Sequence, residues 1–98
     1  MIRVILPFHL QNLARTGSEV QIAIEGPATV SSLIDALEIR YPTLKGTVRD
    51  YGTQQRRPFL RFFVCGEDWS LESLDSRLPD KIIKGEEPFL IIGAIAGG

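Results

Sequence analysis

Residue types that carry catalysis or bind metals are scarce in this chain of 98 residues. It has one cysteine, Cys65, and one histidine, His9. A single cysteine cannot form a disulfide within the chain, and one histidine with one cysteine and scattered carboxylates lacks the paired ligand spacing of a zinc site. A catalytic Cys–His pair is arithmetically possible, but each residue lies at the end of a predicted strand, where a structural role is available. We therefore expect neither a metal site nor catalytic residues of the chain's own.

A basic excess and a long apolar segment are also absent. Eleven Lys and Arg residues against twelve Asp and Glu residues give a net charge of -1 at pH 7, whereas binding to nucleic acid needs an excess of cations. The longest apolar stretch, residues 89–92 continued past Gly93 to residue 96, is far shorter than the roughly 20 residues that span a bilayer. The N-terminal residues lack the build of a signal peptide. We expect a cytoplasmic protein that binds neither nucleic acid nor membranes.

The overall composition is that of an ordinary globular protein. Hydrophobic residues make up 44% and charged residues 23% of the chain, which is too apolar for a disordered protein. A chain of this length buries roughly 60–65% of its unfolded surface around one core. We predict a single domain over residues 1–98, monomeric on its own, in which residues 94–98 form a flexible functional tail.

Alternating apolar and polar residues predict two strands in the first quarter of the chain. The first strand starts at Ile2 and ends at Pro7. The second covers residues 19–25 and is the clearest strict alternation in the chain. The connector, residues 8–18, is expected to be irregular with a turn at Gly17. Because no crossover helix is predicted between them, the two strands should pair antiparallel.

A helix is predicted to follow, with Thr29 as its N-cap and Pro42 as its stop. Its apolar positions recur at helical spacing, so one stripe should pack on the sheet. The outward positions are predicted to be Ser31, Asp35, Glu38 and Arg40, and the buried stripe is Val30, Leu33, Ile34, Leu37 and Tyr41.

The pattern weakens over residues 43–57. Leu44, Val48 and Tyr51 could share one face of a short helix, which Gly52 would stop. Residues 54–57 read as a polar loop whose two arginines either contact a partner or a phosphate, or only keep the loop soluble.

The second half of the chain predicts further strands. In residues 58–65, Arg61 must face water, so Phe59 and Phe63 share its face. A turn at residues 66–68 leads to a short edge strand at residues 69–71, and residues 84–87 turn the chain again. Residues 89–92 are apolar at both parities, which is typical of a central strand, and this strand should lie beside the first. These elements predict an α+β fold of the β-grasp type: a mixed sheet of four to five strands with one main helix on one face.

The last six residues, with the sequence GAIAGG, carry the candidate functional site. They are small and uncharged, so the carboxylate of Gly98 is their only strong chemical group. A carboxylate becomes an electrophile once one oxygen is converted to a good leaving group. Gly97 and Gly98 have no Cβ and can thread a narrow catalytic channel.

Several of these features together resemble the ThiS/MoaD family of ubiquitin-like sulfur carriers. They are the alternating first strand, the Thr29-Val30 helix start, a strand ending at residues 64–67 (VCGE), a turn at residues 85–87 (GEE) and the terminal diglycine. Residues 42–57 also look like the longer inserts of carriers that serve cysteine synthesis. The family usually has Asn where Cys65 stands and often has Pro where Gly93 stands, and Pro88 should delay the last strand until Phe89.

The resemblance implies a carrier protein rather than an enzyme. An E1-like enzyme would use ATP and Mg²⁺ to adenylate the carboxylate of Gly98, and sulfur would then replace AMP to leave a thiocarboxylate. A partner synthase, of which this chain could be a small subunit, would take the sulfur for cysteine, molybdopterin, thiazole (thiamine) or a related metabolite. The chain itself would bind no cofactor. Gly97, Ala96 and Ile95 would be the tail positions that partners recognise.

Affinity for these partners has to come from the folded body, because a mobile tail loses entropy on docking. Phe59, Arg61 and Phe63, on the sheet face that the helix leaves uncovered, are the candidate partner interface. Alternatively, the two aromatic rings close over each other or under the loop of Trp69. A different function is also open, because a ubiquitin-like modifier would use the activated Gly98 to acylate lysines of target proteins.

Overall fold

The structure is a computed structural model that describes residues 1–93. The described chain forms a five-stranded sheet, three helices and one 3₁₀ turn. In chain order these are β1 (Ile2–Ile5), α1 (Phe8–Ala14), β2 (Glu19–Ile22), α2 (Val30–Arg40), the 3₁₀ turn (Pro42–Leu44), β3 (Leu60–Val64), β4 (Glu67–Asp68), α3 (Asp80–Ile83) and β5 (Phe89–Gly93).

The strand order in the sheet is β2-β1-β5-β3-β4. β1 pairs antiparallel with β2 and parallel with β5, while β3 pairs antiparallel with both β5 and β4. The sheet is therefore mixed, and the last strand is its centre, as its apolar composition at both parities predicted. This architecture confirms the predicted β-grasp fold.

One face of the sheet and α2 enclose the core. The inward side chains of β3, those of Leu60, Phe62 and Val64, are at most 3% exposed, and the alternation predicted for this strand is confirmed. Phe62 and Phe89 pack with their ring centroids 5.2 Å apart. The opposite face, called the outer face below, carries the alternate residues of the same strands.

Helix α2 begins where its sequence predicts. Thr29 has extended backbone and its hydroxyl oxygen accepts a hydrogen bond from the N–H of Ser32 at 3.0 Å. Ser32 Oγ in turn accepts one from the N–H of Thr29 at 2.8 Å, which completes a capping box. Four of the five predicted stripe residues are buried, and Tyr41 is partly buried. One outward prediction is wrong, because Glu38 is only 8% exposed.

Replacing Leu33 by Ala should lower the free energy of unfolding by about 2–5 kcal/mol, because Leu33 is 1% exposed in the core. Chemical denaturation of both proteins measures the change. Ile39→Ala on the same helix is the matched control, since Ile39 is 78% exposed and its truncation leaves no cavity. Equal stabilities for the Leu33 variant and the wild type would contradict the packing of α2.

The connector after β1 is helical, so the prediction of an irregular segment is wrong. Helix α1 follows Pro7, buries Leu10 and ends at Arg15, whose φ of 56° is left-handed. The side-chain Nε2 of Gln11 also donates to the carbonyl oxygen of Leu6 at 2.8 Å. A helix of seven residues buries too few positions to show helical periodicity in the sequence. Strands β1 and β2 still pair antiparallel, as predicted.

The segment after α2 holds only a 3₁₀ turn, and no short helix follows it to Tyr51. Leu44 and Val48 are buried together as predicted, but Tyr51 is 72% exposed. The short helix α3 was also missed. Its four residues place Ile82 in the core, and the predicted turn after it contains Gly85 with φ 78°.

Strand β4 starts two residues earlier than predicted, because the hairpin turn is shorter. Cys65 and Gly66 form the whole turn, with φ angles of 50° and 82°. Two successive positive φ angles in a two-residue hairpin loop are the geometry that the Asn-Gly sequence favours. Cys65 is exposed and makes this turn without the preference for left-handed backbone that Asn has.

Replacing Cys65 by Asn should therefore stabilise the protein by up to about 1 kcal/mol, because Asn adopts the left-handed conformation at lower cost. Thermal unfolding checks this as a rise in melting temperature. Cys65→Val is the opposite control, since a β-branched residue is unfavourable at positive φ. A lower melting temperature for the Asn variant would contradict the assignment of the turn.

Candidate partner surface at the end of the central strand

The candidate tail, residues 94–98, follows directly after strand β5 in the sequence. Gly93, the last residue of this central strand, pairs with Leu60, the first residue of β3. Gly98 follows five residues later in the sequence. The predicted functional residues Ile95, Ala96, Gly97 and Gly98 lie outside the described residues, so the structure provides the surface from which the tail starts.

Helix α1 brings His9 against this starting point. A Cβ atom built on Gly93 would lie 3.2 Å from His9 Cε1 and 3.5 Å from Pro7 Cβ. A side chain at position 93 would therefore require the imidazole to shift by a few tenths of an ångström. This contact had no signal in the sequence, because α1 itself was not predicted.

Phe59 lies beside the same point. It stands in the turn before β3, where the N–H of Leu60 donates to the carbonyl oxygen of Arg57 at 3.1 Å. Its side chain is 66% exposed. Together with His9, Arg57 and Gly93 it lines an open cavity of about 460 Å³. An exposed aromatic ring is thus placed next to the residue that leads into the tail.

Phe63 occupies a different part of the surface. Ile5, Leu90, Phe63 and Asp68 are directly paired in one row across the outer face, and the first three are partly buried. Ile92, at 44% exposure, extends this apolar strip towards the tail. The strip lies on the sheet face opposite α2, where the sequence predicts an apolar patch for a partner. Within residues 1–93, Phe59 and Phe63 form no aromatic pair with each other.

Arg61 projects from the outer face next to this strip and has a partner within the chain. Its guanidinium lies 3.3 Å from the carboxylate of Asp68 in an exposed ion pair, which contributes little stability. Hydrogen bonds from Ser70 lower the pKa of Asp68, and the positive charge of Arg61 adds to the effect. A partner's carboxylate would compete with Asp68 for Arg61.

The two loop arginines have structural roles. Arg56 donates to the carbonyl oxygens of Ser70 and Leu60. Arg57 donates to the carbonyl oxygen of Gly46 at 2.8 Å and lies 3.2 Å from the carboxylate of Asp50. Arg56 therefore ties the loop to Leu60 and Ser70, and Arg57 ties it to Gly46 and Asp50.

A buried ion group has no signal in the sequence, because neither periodicity nor a motif marks it. The side chain of Arg49 is 5% exposed and donates to both carboxylate oxygens of Glu38, at 3.2 and 3.0 Å, and to the carboxylate of Asp35. Burial by itself would lower the pKa of Arg49, but the hydrogen bonds and charges of Glu38 and Asp35 raise it overall. The group ties residues 42–57 to α2.

The possible Cys–His pair is not assembled. His9 lies at the Leu60 end of β3, whereas Cys65 lies beyond its other end. Over residues 1–93, no group of three or more His, Cys, Asp or Glu side chains is placed to hold a metal ion. Nor does that part of the chain contain a helix long and apolar enough to cross a membrane.

Three solved structures are similar to this chain over nearly its whole length. A chain from the crystal structure of the Amycolatopsis orientalis BexX/CysO complex is 24% identical, with both chains covered completely (100%) and a TM-score of 0.77. Mycobacterium tuberculosis CysO, described as an antigen, is 21% identical over 97% of this chain and 100% of its own, with a TM-score of 0.75. SAMP1 from Haloferax volcanii is 19% identical over 98% of this chain and 97% of its own, with a TM-score of 0.68.

These similarities establish the fold. At identities below 25% they show the fold alone, and this β-grasp fold agrees with the one that the resemblance to sulfur carriers implied. No protein-family model and no curated protein matched the sequence.

Proposed function

We propose that this protein is a ubiquitin-like sulfur carrier whose functional group is the carboxylate of Gly98. One observation carries the proposal. The central strand of a β-grasp body leads through Gly93 towards a diglycine five residues later, and a chain of the BexX/CysO complex has a similar fold over its whole length. The chain acts as a carrier, and partner enzymes perform the chemistry.

The proposed chemistry has two steps. The carboxylate of Gly98 attacks the α-phosphorus of ATP on an E1-like enzyme with Mg²⁺, which forms an acyl adenylate and releases pyrophosphate. Hydrosulfide then attacks the acyl carbon, the C–O bond to the phosphate breaks, and AMP leaves with the bonding electrons. The product is a terminal thiocarboxylate, which donates its sulfur to an acceptor on a partner synthase.

Recognition is divided between the tail and the body. Ile95, Ala96 and Gly97 are proposed to enter the channel of the activating enzyme, where the missing Cβ of Gly97 permits close passage next to Gly98. Phe59, Arg61 and Phe63 are proposed to contact the partner's surface. CysO of Amycolatopsis orientalis was crystallised in a complex with BexX, which supports a protein partner for a chain of this fold.

A mass measurement tests the proposed function. The full chain is incubated with its adenylating enzyme, ATP, Mg²⁺ and sulfide, and its intact mass is recorded. We expect a gain equal to the mass difference between sulfur and oxygen, on a C-terminal fragment, that depends on ATP. If the enzyme releases pyrophosphate but the mass of the chain does not change, the chain is not a sulfur carrier.

A second function is supported by the name of a structural neighbour. Another matched structure is that of the H. volcanii small archaeal modifier protein 1, which is 18% identical with a TM-score of 0.71. A modifier would join Gly98 to lysines of other proteins through the same acyl adenylate. Finding lysine conjugates of the tail in cell extracts, with no thiocarboxylate form, would favour this function over sulfur transfer.

Replacing Phe59 by Ser should raise the KM of the adenylating enzyme for this protein by about tenfold or more, because an exposed aromatic anchor beside the tail contributes about 1.4 kcal/mol or more to binding. Steady-state release of pyrophosphate measures it. Leu71→Ser is the matched control: Leu71 is 91% exposed, and its replacement should leave KM unchanged. Equal KM values for the two variants would remove Phe59 from the interface.

A further inference from the structure

The end of strand β5 has a neighbouring strand on one side only. Its last three residues, 91–93, pair with β3, whereas the ladder with β1 stops at the pair of Ile5 and Leu90. After β1 the chain enters helix α1 at Pro7. In the part of the chain that the structure describes, the first turn of α1 therefore lies beside Gly93 on the side where β1 has ended.

The imidazole of His9 fills the space next to Gly93 on the helix side of the sheet. Gly93 has the parity of Ile91, which is buried in the core, so a side chain at position 93 would point towards this side. A Cβ atom there would lie 3.2 Å from Cε1 and 3.6 Å from Nδ1 of His9, and 3.5 Å from Cβ of Pro7. Position 93 has no side chain, and a side chain of α1 takes its place.

Helix α1 carries this imidazole on an anchored backbone. Leu10, the next residue, is fully buried (0% exposed), and its N–H donates to the carbonyl oxygen of Pro7 at 3.0 Å. Near the other end of the helix, the hydroxyl of Thr43 donates to the carbonyl oxygen of Leu13 at 2.9 Å. The helix is therefore fixed on both sides of His9, although His9 itself is an exposed residue.

The open cavity of about 460 Å³ offers the chain after Gly93 an alternative course. Both His9 and Gly93 line this cavity, and His9 is the lining residue that comes nearest to a Cβ at Gly93. Glycine adopts more backbone conformations than any other residue, so Gly93 by itself favours no single direction. The imidazole restricts the space through which the chain could turn from Gly93 into the cavity.

We infer that His9 is a positioning residue that directs the chain after Gly93 away from this cavity and towards the outer face of the sheet. The inference rests on the proposed function, because it concerns how the tail is presented to the activating enzyme. A tail with fewer courses loses less entropy when it enters the enzyme's channel. His9 acts through Gly93 and not on the reacting carboxylate, since five extended residues span about 17 Å.

Kinetics of the activating enzyme with the full chain test the inference. Replacing His9 by Ala should lower the kcat of pyrophosphate release about fivefold or more, because the tail of many bound chains then lies outside the channel. KM should stay within about twofold, since the body docks as before. Phe59→Ser is expected to raise KM instead, so the two variants separate positioning from docking. A wild-type kcat for the His9→Ala variant would overturn the inference.

Two further variants separate the volume of the imidazole from its chemistry. His9→Phe keeps a planar ring without a titratable group and should have the wild-type kcat. Asn12→Ala is the matched control, because Asn12 is exposed on the same helix and does not line the cavity, and it should change neither kcat nor KM. Since His9 and Asn12 are exposed, all three variants should melt like the wild type. A His9→Phe variant as slow as His9→Ala would contradict positioning by volume.

A measurement on the free protein distinguishes positioning from a direct contact of His9 with the enzyme. The heteronuclear ¹H–¹⁵N NOE of the Ala94 amide reports fast motion directly after Gly93. We expect a lower value in His9→Ala than in the wild type and in His9→Phe. Equal values in all three proteins would overturn the inference even if kcat fell, because His9 would then act on the enzyme and not on the tail.

These results are separate from the mass measurement that tests sulfur transfer. Adenylation comes before sulfur transfer, so a wild-type chain that releases pyrophosphate without gaining sulfur would contradict the carrier function, and the effect of His9 on kcat would still be measured. If the wild-type chain releases no pyrophosphate, the proposed function fails. The NOE of Ala94 then decides by itself whether His9 positions the chain after Gly93.

Discussion

Deleting Gly98 should reduce the ATP-dependent exchange of oxygen for sulfur by at least about a hundredfold and leave the free energy of unfolding unchanged. The deletion still leaves a carboxylate, now on Gly97, but it shortens an extended tail by about 3.3 Å. A misplacement of about 1 Å at a reacting centre can cost a hundredfold in rate. The proposed function therefore predicts a near-complete loss of activity, because the carboxylate of the shortened tail no longer reaches the reacting position in the partner enzyme.

Two measurements complete the test of Gly98. Intact mass after incubation with the adenylating enzyme, ATP and sulfide follows the exchange, and chemical denaturation follows stability. The buried core of the described chain extends no further than Ile91, so the deletion removes no known packing. Replacing Gly98 by Ala keeps the length and should retain more activity than the deletion. A deletion variant that exchanges at the wild-type rate would refute the role of Gly98.

Replacing Glu38 by Met should lower the free energy of unfolding by about 3 kcal/mol. The side chain of Arg49 is 5% exposed and Glu38 accepts two of its hydrogen bonds. Without Glu38 the guanidinium keeps only Asp35, whose side chain is 58% exposed. A buried charge left without its main partner is strongly destabilising. Urea denaturation of the two proteins measures the difference.

A double variant separates the buried charge from other effects of the substitution. Glu38→Met with Arg49→Met replaces the pair by apolar side chains, an exchange that is often close to neutral. We expect it to be more stable than the Glu38 variant alone. If the single and the double variant lose the same free energy of unfolding, the unpaired charge of Arg49 is not the cause of the loss. Opening of residues 42–57 in the single variant should also appear as faster amide exchange at Val48.

Much of the fold could be predicted from the sequence because its signals are local. Thr29 starts α2, the alternation around Arg61 determines which residues of β3 are buried, and the apolar run at residues 89–92 marks the central strand. The missed elements are short. Helix α1 and helix α3 have seven and four residues, too few for a period to be read.

Part of the candidate site could likewise be predicted from local sequence signals, and the rest depends on contacts between distant residues. The outward positions of Phe59 and Arg61 could be predicted from parity and polarity, although Phe59 stands in a turn rather than in the strand. The approach of His9 to Gly93 depends on helix α1 and on the pairing of Gly93 with Leu60, which join residues far apart in the sequence.

The sequence alone determined the β-grasp class, the helix boundaries at Thr29 and Pro42, and the diglycine as the candidate reactive end, because each depends on neighbouring residues. Only the tertiary structure decided that Glu38 is buried. On the helix it occupies an outward position, where a carboxylate is normally solvated, and it is buried because the loop after α2 places Arg49 over it. An ion pair between distant residues has no periodicity in the sequence, since it depends on where two separate segments meet.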